Sequence, residues 1–313
     1  FMTVIVIMIM ATFTTVCAWV LRYLIYAVTN AFSGADTVAL FNETAEKDPL
    51  TTAFFFIILF FCCFVTSKGI SGGIEKCMKV MIPVLFISML IIVVRAITLP
   101  GSTEGLQYMF HIDASYLLKA NTWLEALAQC AWSMGPGFGL IISYAVYTKA
   151  NSDITLTTVT QGLSDTMAAL LASTAICGAL FATMGSEASM EIMQSGSNGL
   201  CFIALPNLFA TMSGGHILGI CFFLALFMAV LTSNFGHVAV VSLAIQELGI
   251  SKKKAIWWTF IVTCIVGLPS AYSMDIMGRL DWVSGTLLVF GALFVCYAVR
   301  KFGAKKFRER FLN

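Results

Sequence analysis

The chain has 313 residues, of which 59% are apolar and only 11% charged, with a formal net charge of +2. Mean hydropathy is +0.91. This excludes an ordinary soluble domain, in which charged residues make up about a quarter of the chain. The small positive charge gives no reason to expect a nucleic-acid partner. Apolar runs long enough to span a bilayer as helices lie near 1–32, 52–66, 79–99, 123–148, 156–184, 214–247, 256–273 and 282–300. The predicted class is an all-α polytopic membrane protein with about eight transmembrane helices.

In chain order, the first run begins at Phe1 with no Met and no polar head before it, and the chain closes at Asn313 after a basic stretch. This is the pattern expected of a piece of a longer protein. Acids gather between the first and second runs (Asp36, Glu43, Glu46, Asp48), and lysines between the second and third (Lys68, Lys76, Lys79). The alternation continues. Glu104, Asp113, Glu187, Glu191 and Asp275 fall on the acidic side; Lys149, Lys252, Lys253, Lys254 and the tail from Arg300 to Arg310 fall on the other. The positive-inside rule makes the basic side cytoplasmic. Asn42-Glu43-Thr44 fits a glycosylation acceptor in an outside loop, although such triplets are common by chance.

The fourth run, Trp123 to Thr148, is interrupted by Gly135-Pro136-Gly137. Proline removes a backbone donor, and the glycines remove the Cβ restraint that keeps a helix wound. In lipid an opened backbone costs several kcal/mol per unsatisfied group, so a break at mid-membrane lines a cavity or binds a ligand. The alternative is a plain proline kink supported by neighbouring helices. In the fifth run Asp165 lies about ten residues in, roughly 15 Å deep at 1.5 Å per residue. A carboxylate at that depth costs at least ~2.5 kcal/mol. It is either functional or protonated and hydrogen-bonded to a neighbour. Thr232-Ser233-Asn234 reaches a similar depth in the sixth run, with His237 one turn later. The aromatic rings of Trp132 and Phe138 flank the break and could cover an organic substrate or simply pack.

Oxygen ligands of this kind on three helices suit sodium and lack the His/Cys set of a transition-metal site. The ten cysteines sit mostly inside helices without paired metal spacing and read as packing residues. There is no nucleophile elbow, HExxH or phosphate loop. An enzyme is not expected.

These residues carry a family resemblance. Gln129-Cys130-Ala131-Trp132-Ser133-Met134-Gly135-Pro136-Gly137-Phe138-Gly139, followed by Ile142-Ser143-Tyr144, resembles the broken sixth helix of the neurotransmitter:sodium symporters. Ser71-Gly72-Gly73 through Met81-Ile82-Pro83 resembles the inner entry to their fifth helix. Ile203-Ala204-Leu205-Pro206 with Ser213-Gly214-Gly215 resembles their fourth outside loop. Leu231-Thr232-Ser233 resembles the eighth helix and Leu280-Asp281-Trp282 the start of the tenth. The bacterial amino-acid branch is the most similar. The resemblance implies a leucine-transporter-like inverted-repeat fold, the well-known type of a transporter built on broken helices, incomplete in this chain. Residues 1–100 would be the remainder of the first repeat (helices three to five), 101–122 an outside loop, 123–300 the second repeat (helices six to ten) and 301–313 a basic cytoplasmic segment.

It further implies sodium ligands at Ser133 and Asp165 in one site, and at Ala229, Thr232 and Ser233 in a second. Substrate contacts would come from Phe13, Trp132, Gly135, Phe138, Ser233 and His237, and gates from Gln129, Tyr147 and Asp281. Phe13 stands where the family usually has a tyrosine whose hydroxyl touches substrate, so that hydrogen bond is not expected here; His237 stands where an apolar residue is usual, which favours a polar or acidic substrate side chain. Asp165 replaces the commoner Asn and resembles a built-in substitute for chloride. The function implied is chloride-independent symport of sodium with an amino acid or related amine, by alternating access, across a bacterial inner membrane. Partners would be the substrate and the bilayer, with a homodimer left open. The alternatives are a proton-coupled carrier using Asp165 and a non-transporting receptor or scaffold of the same fold.

Overall fold

A computed structural model describes residues 1–135, 137–145, 153–194 and 196–311. Among these there is no β-strand. The first helix, α1 (Met2–Val28), is followed by the short α2 (Thr37–Ala45), α3 (Pro49–Ser67) and a π-turn at Ile70–Ile74 that runs into α4 (Glu75–Ile97). Then come α5 (Ser102–Phe110), a 3₁₀ turn at Ala114–Leu118, α6 (Ala120–Met134) and α7 (Leu140–Ala145). The second half holds α8 (Ile154–Gln194), α9 (Gly196–Gly199), a π-turn at Leu200–Ala204 and α10 (Leu205–Thr211). It closes with α11 (Gly215–Gln246), α12 (Lys252–Tyr272), α13 (Met274–Phe302) and α14 (Ala304–Phe311).

Seven of these segments are long and apolar enough to cross a membrane: α1, α3, the π-turn with α4, α8, α11, α12 and α13. Of these α8 is kinked, because Gly185 leaves the helical region with φ 77° and ψ 173°. The eighth expected span is the pair α6 and α7, divided where Gly135-Pro136-Gly137 predicts a break. The second and seventh runs are full-length, with 19 residues in α3 and 21 in α12. Capping sets the start of α3. Asp48 accepts from the amides of Leu50 and Thr51 at 3.1 and 3.0 Å, with Pro49 in the first turn where its missing N–H costs nothing.

Three boundaries differ from expectation. The first helix stops at Val28 rather than 32, because Asn30 takes a left-handed φ of 56°, which asparagine tolerates. The expected outside loop 101–122 is partly helical, carrying α5 and the 3₁₀ turn. The last span starts at Met274, not 282, because the single extended residue Ser273 turns the corner from α12. Asp281 therefore sits two turns inside α13. Asn42-Glu43-Thr44 lies within α2, where Thr44 is fully buried and its hydroxyl donates to Leu40 O at 2.8 Å. The triplet is thus helical, with Thr44 packed inward and Asn42 and Glu43 exposed.

Between these helices the side chains form two apolar clusters. One joins α1, α3, α11 and the break (Ile5, Ile9, Phe55, Leu59, Phe138, Phe235). The other is aromatic: Trp19, Tyr23 and Phe223 are fully buried; Trp19 meets Phe41 and Phe202 at 5.7 and 5.9 Å between centroids, and Tyr23 meets Phe202 and Phe223 at 5.0 and 5.3 Å. Such pairs contribute about 0.5–1.5 kcal/mol each beyond area burial. In a bilayer this packing, not exclusion of water, holds helices together. The aromatic cluster lies toward the acidic side, where Arg22 pairs with Asp48 at 2.7 Å. At the opposite side Lys252 Nζ comes within 3.5 Å of where a Cβ on Gly69 would stand, bringing the lysine-bearing ends of α3 and α12 together.

Candidate functional site

The site begins with the break. Gly135 caps α6 in the left-handed region (φ 62°, ψ 32°), which would cost a residue with a Cβ roughly 1–2 kcal/mol. The amide of Phe138 donates back to Gly135 O at 3.1 Å, and α7 resumes at Leu140. Gly137 is needed for a different reason, close approach. A Cβ there would stand 2.3 Å from Leu288 O, and one on Gly291 would stand 2.9 Å from Gly137 Cα. The opened segment is thus seated backbone to backbone on α13.

Two polar groups meet beside it. The Ser133 hydroxyl, on the last turn of α6, donates to Asp165 Oδ2 on α8. On α11, the hydroxyls of Thr232 and Ser233 both donate to Ala229 O, at 2.8 and 3.2 Å. This back-bonding satisfies their protons within the helix and leaves each hydroxyl oxygen able to accept or coordinate. Among the described residues, no cluster of three or more His, Cys, Asp or Glu could hold a metal. The oxygens that are present suit a hard monovalent cation.

A cavity of about 500 Å³ opens between these elements. Phe13, Trp132, Ser133, Gly135, Phe138, Thr232, Ser233 and His237 all line it. Four rings from three helices and the break close a circuit on its wall. Phe13 stacks on Trp132 at 6.4 Å, Trp132 meets Phe138 at 6.0 Å, Phe138 stacks on His237 at 5.7 Å, and His237 meets Phe13 edge-on at 5.2 Å. Trp132 is also braced against α13, since a Cβ on Gly285 would lie 3.0 Å from its Nε1. His237 and Asn234 are each 1% exposed, and His237 Nδ1 and both amide atoms of Asn234 have no hydrogen-bond partner among the described residues.

Some expected residues stand apart. Ala229 lines a separate apolar cavity and meets the site only through its carbonyl. Asp165 is absent from the lining and adjoins the cavity through Ser133. Gln129 is exposed on α6 and Asp281 on α13, and among the described residues no hydrogen bond joins them. Tyr147 and Pro136 lie outside the described residues. Met78 from α4 and Gln161 from α8 also line the cavity, and neither carried a sequence signal of its own. Only the spacing of Gln161, one helical turn before Asp165, could have drawn attention to it.

Residues 39–311 match the sodium:neurotransmitter symporter family. An uncharacterized sodium-dependent transporter of Methanocaldococcus jannaschii is 34% identical over 254 residues, covering 78% of this chain and 51% of that protein. A sodium-dependent serotonin transporter of Drosophila melanogaster is 30% identical over 152 residues, covering 48% of this chain and 24% of that protein. The crystal structure of MhsT in complex with L-phenylalanine superposes with a TM-score of 0.81 at 24% identity, covering 93% of this chain and 68% of that one. The chain spans about half the length of the curated bacterial and archaeal relatives it matches. A multi-helix membrane chain with the MhsT fold, matched to the family model through residues 39–311, belongs to the sodium:neurotransmitter symporter family, a family of transporters rather than of enzymes.

Proposed function

We propose that this protein couples sodium entry to uptake of an amino acid or related amine, without needing chloride, by alternating access about the broken helix. The observation that carries the reading is the junction of Ser133, Asp165 and the aromatic cavity beside an opened backbone. We assign Ser133 and Asp165 to one ion site, and Ala229 O, Thr232 and Ser233 to another. Phe13, Trp132, Gly135, Phe138, Ser233 and His237 are assigned to the substrate, and Gln129, Tyr147 and Asp281 to gating. In the same reading residues 1–100 and 123–300 belong to the two inverted repeats, and the membrane is a bacterial inner membrane.

Sodium entry is a sufficient drive. One charge moving through 100 mV releases about 2.3 kcal/mol. A tenfold substrate gradient requires about 1.4 kcal/mol. Two sodium ions would support roughly three decades of accumulation on potential alone. The carboxylate of Asp165 already supplies the negative charge that chloride would otherwise bring, which supports chloride independence.

His237 narrows the substrate. A proton on sealed, unpartnered Nδ1 would be a buried orphan donor, costlier than a buried lone pair. The proton therefore belongs on Nε2, which offers the cavity a donor. A substrate side chain with an acceptor, such as a carboxylate or amide, fits that donor. The decisive test is uptake by the full-length protein in liposomes. Accumulation should collapse when sodium is replaced by choline and persist when chloride is replaced by gluconate. Uptake undiminished in choline would overturn sodium coupling, and would support a proton-driven carrier if it followed a pH gradient.

A further inference from the structure

We propose that a groove between α3 and α12 binds an anionic phospholipid of the cytoplasmic leaflet, a site separate from the transport cavity and independent of its function. The groove has a volume of about 320 Å³ and is lined by Phe60, Phe64, Ile256, Trp257 and Phe260, with Ser67 and Lys253 at one end. Ser67 closes α3 and Lys253 lies in the first turn of α12, so the polar end coincides with the membrane surface. From Ser67 to Phe60, and from Lys253 to Phe260, the groove descends two helical turns, or about 10 Å. That depth is hydrocarbon, and the rings of Phe60, Phe64 and Trp257 are exposed toward it.

Charge at the mouth selects the headgroup. Lys68 Nζ stands 4.3 Å above the Phe64 ring, so one cation already sits over a groove wall. Lys252 reaches the Gly69 turn beside it, and Lys253 lines the groove. Lys254 follows, and the exposed indoles of Trp257 and Trp258 occupy the depth that amphipathic aromatic side chains prefer at a bilayer interface. Neither α3 nor α12 contains an acidic residue. On this side of the membrane the nearest acids along the chain are Glu75, held by Lys79 at 2.9 Å, and Glu247 at the end of α11. The lysines are therefore unneutralised by their own helices. Basic clusters beside cytoplasmic helix ends attract anionic headgroups at about 1 kcal/mol per residue. A free anion would leave the aromatic walls bare to the bilayer, and a zwitterionic lipid would bring no net charge; an anionic diacyl lipid satisfies both ends.

Native mass spectrometry of the full-length, delipidated protein tests this, with dioleoyl-phosphatidylglycerol, dioleoyl-phosphatidylcholine and inorganic phosphate as probes. The wild type should retain phosphatidylglycerol selectively, and the exposed pair Lys252→Gln/Lys253→Gln should weaken that binding roughly 30-fold, from two interfacial lysines. The tail pair Lys301→Gln/Lys305→Gln should leave it unchanged. Equal retention of phosphatidylcholine would overturn the proposal, as would displacement of the lipid by equimolar phosphate. So would equal losses in the two lysine pairs, which would mean only a general surface charge. Unchanged melting temperatures would show that the variants remain folded.

Discussion

Replacing Gly137 with alanine should dislodge the broken helix from α13. The added Cβ would stand 2.3 Å from Leu288 O, 3.0 Å from its carbonyl carbon and 3.1 Å from its Cα. Ordinary contact begins near 3.4 Å, so one backbone must yield by about 1 Å against another. No flexible side chain is available to absorb the shift, which places the cost in the overpacking range of about 1–3 kcal/mol. For a chain of 313 residues that corresponds to a fall of roughly 2–5 °C in melting temperature. Gly278 on α13 is the internal control. Nothing lies within 4 Å of a Cβ there, so alanine should be neutral or stabilising by up to about 1 kcal/mol through helix propensity. The assay is thermal unfolding of the full-length protein in detergent, paired with sodium-dependent substrate binding. Gly137→Ala should lower both stability and affinity, while Gly278→Ala should lower neither. Equal stability of Gly137→Ala and wild type would refute the close-packed seat, as would an equal loss in both variants.

Three further outcomes are expected. Asp165→Ala should weaken sodium binding by about 10- to 150-fold, the scale of a lost charged hydrogen bond, or render it chloride-dependent; unchanged chloride-free sodium affinity, read by isothermal titration, counts against its role. His237→Leu should lower uptake of acidic or amide substrates by about 5- to 150-fold relative to apolar ones. An unaltered selectivity profile would remove the donor from the account. Burial raises the Asp48 pKa, but the Thr51 hydroxyl, the Leu50 and Thr51 amides and Arg22 together outweigh it and hold it below the ordinary carboxylate value. A depressed carboxylate stabilises the fold above its unfolded value and loses that contribution as pH falls through its folded one. Asp48→Asn should therefore flatten the stability–pH curve below about pH 4 without changing the slope near neutrality. A curve parallel to wild type throughout would contradict the capping assignment.

Much of the fold was legible because chain-local physics decides it. The length of each apolar run locates the spans, and the charge of the connections gives their expected sense. Sequence erred where charged residues were taken as loop: Asp275 and Asp281 delayed the expected start of α13, which the structure begins at Met274. An acid in the first turn favours a helix N-terminus, and that local rule was outweighed by the hydropathy minimum.

By itself, then, the sequence determined that the chain threads a membrane many times, and that one span must open at Gly135-Pro136-Gly137. Both follow from single-residue properties: apolar surface, a missing amide proton and missing Cβ atoms. Only tertiary structure decided that Ser133 meets Asp165, that Gln161 joins Ser133 at the cavity, and that Phe13, Trp132, Phe138 and His237 close a ring circuit. Those contacts depend on how each helix is rotated about its axis. In a soluble protein the polar stripe records that rotation. In lipid the outward and inward faces are both apolar, so rotation is set by which small residues let two backbones touch, as Gly137 and Gly291 do.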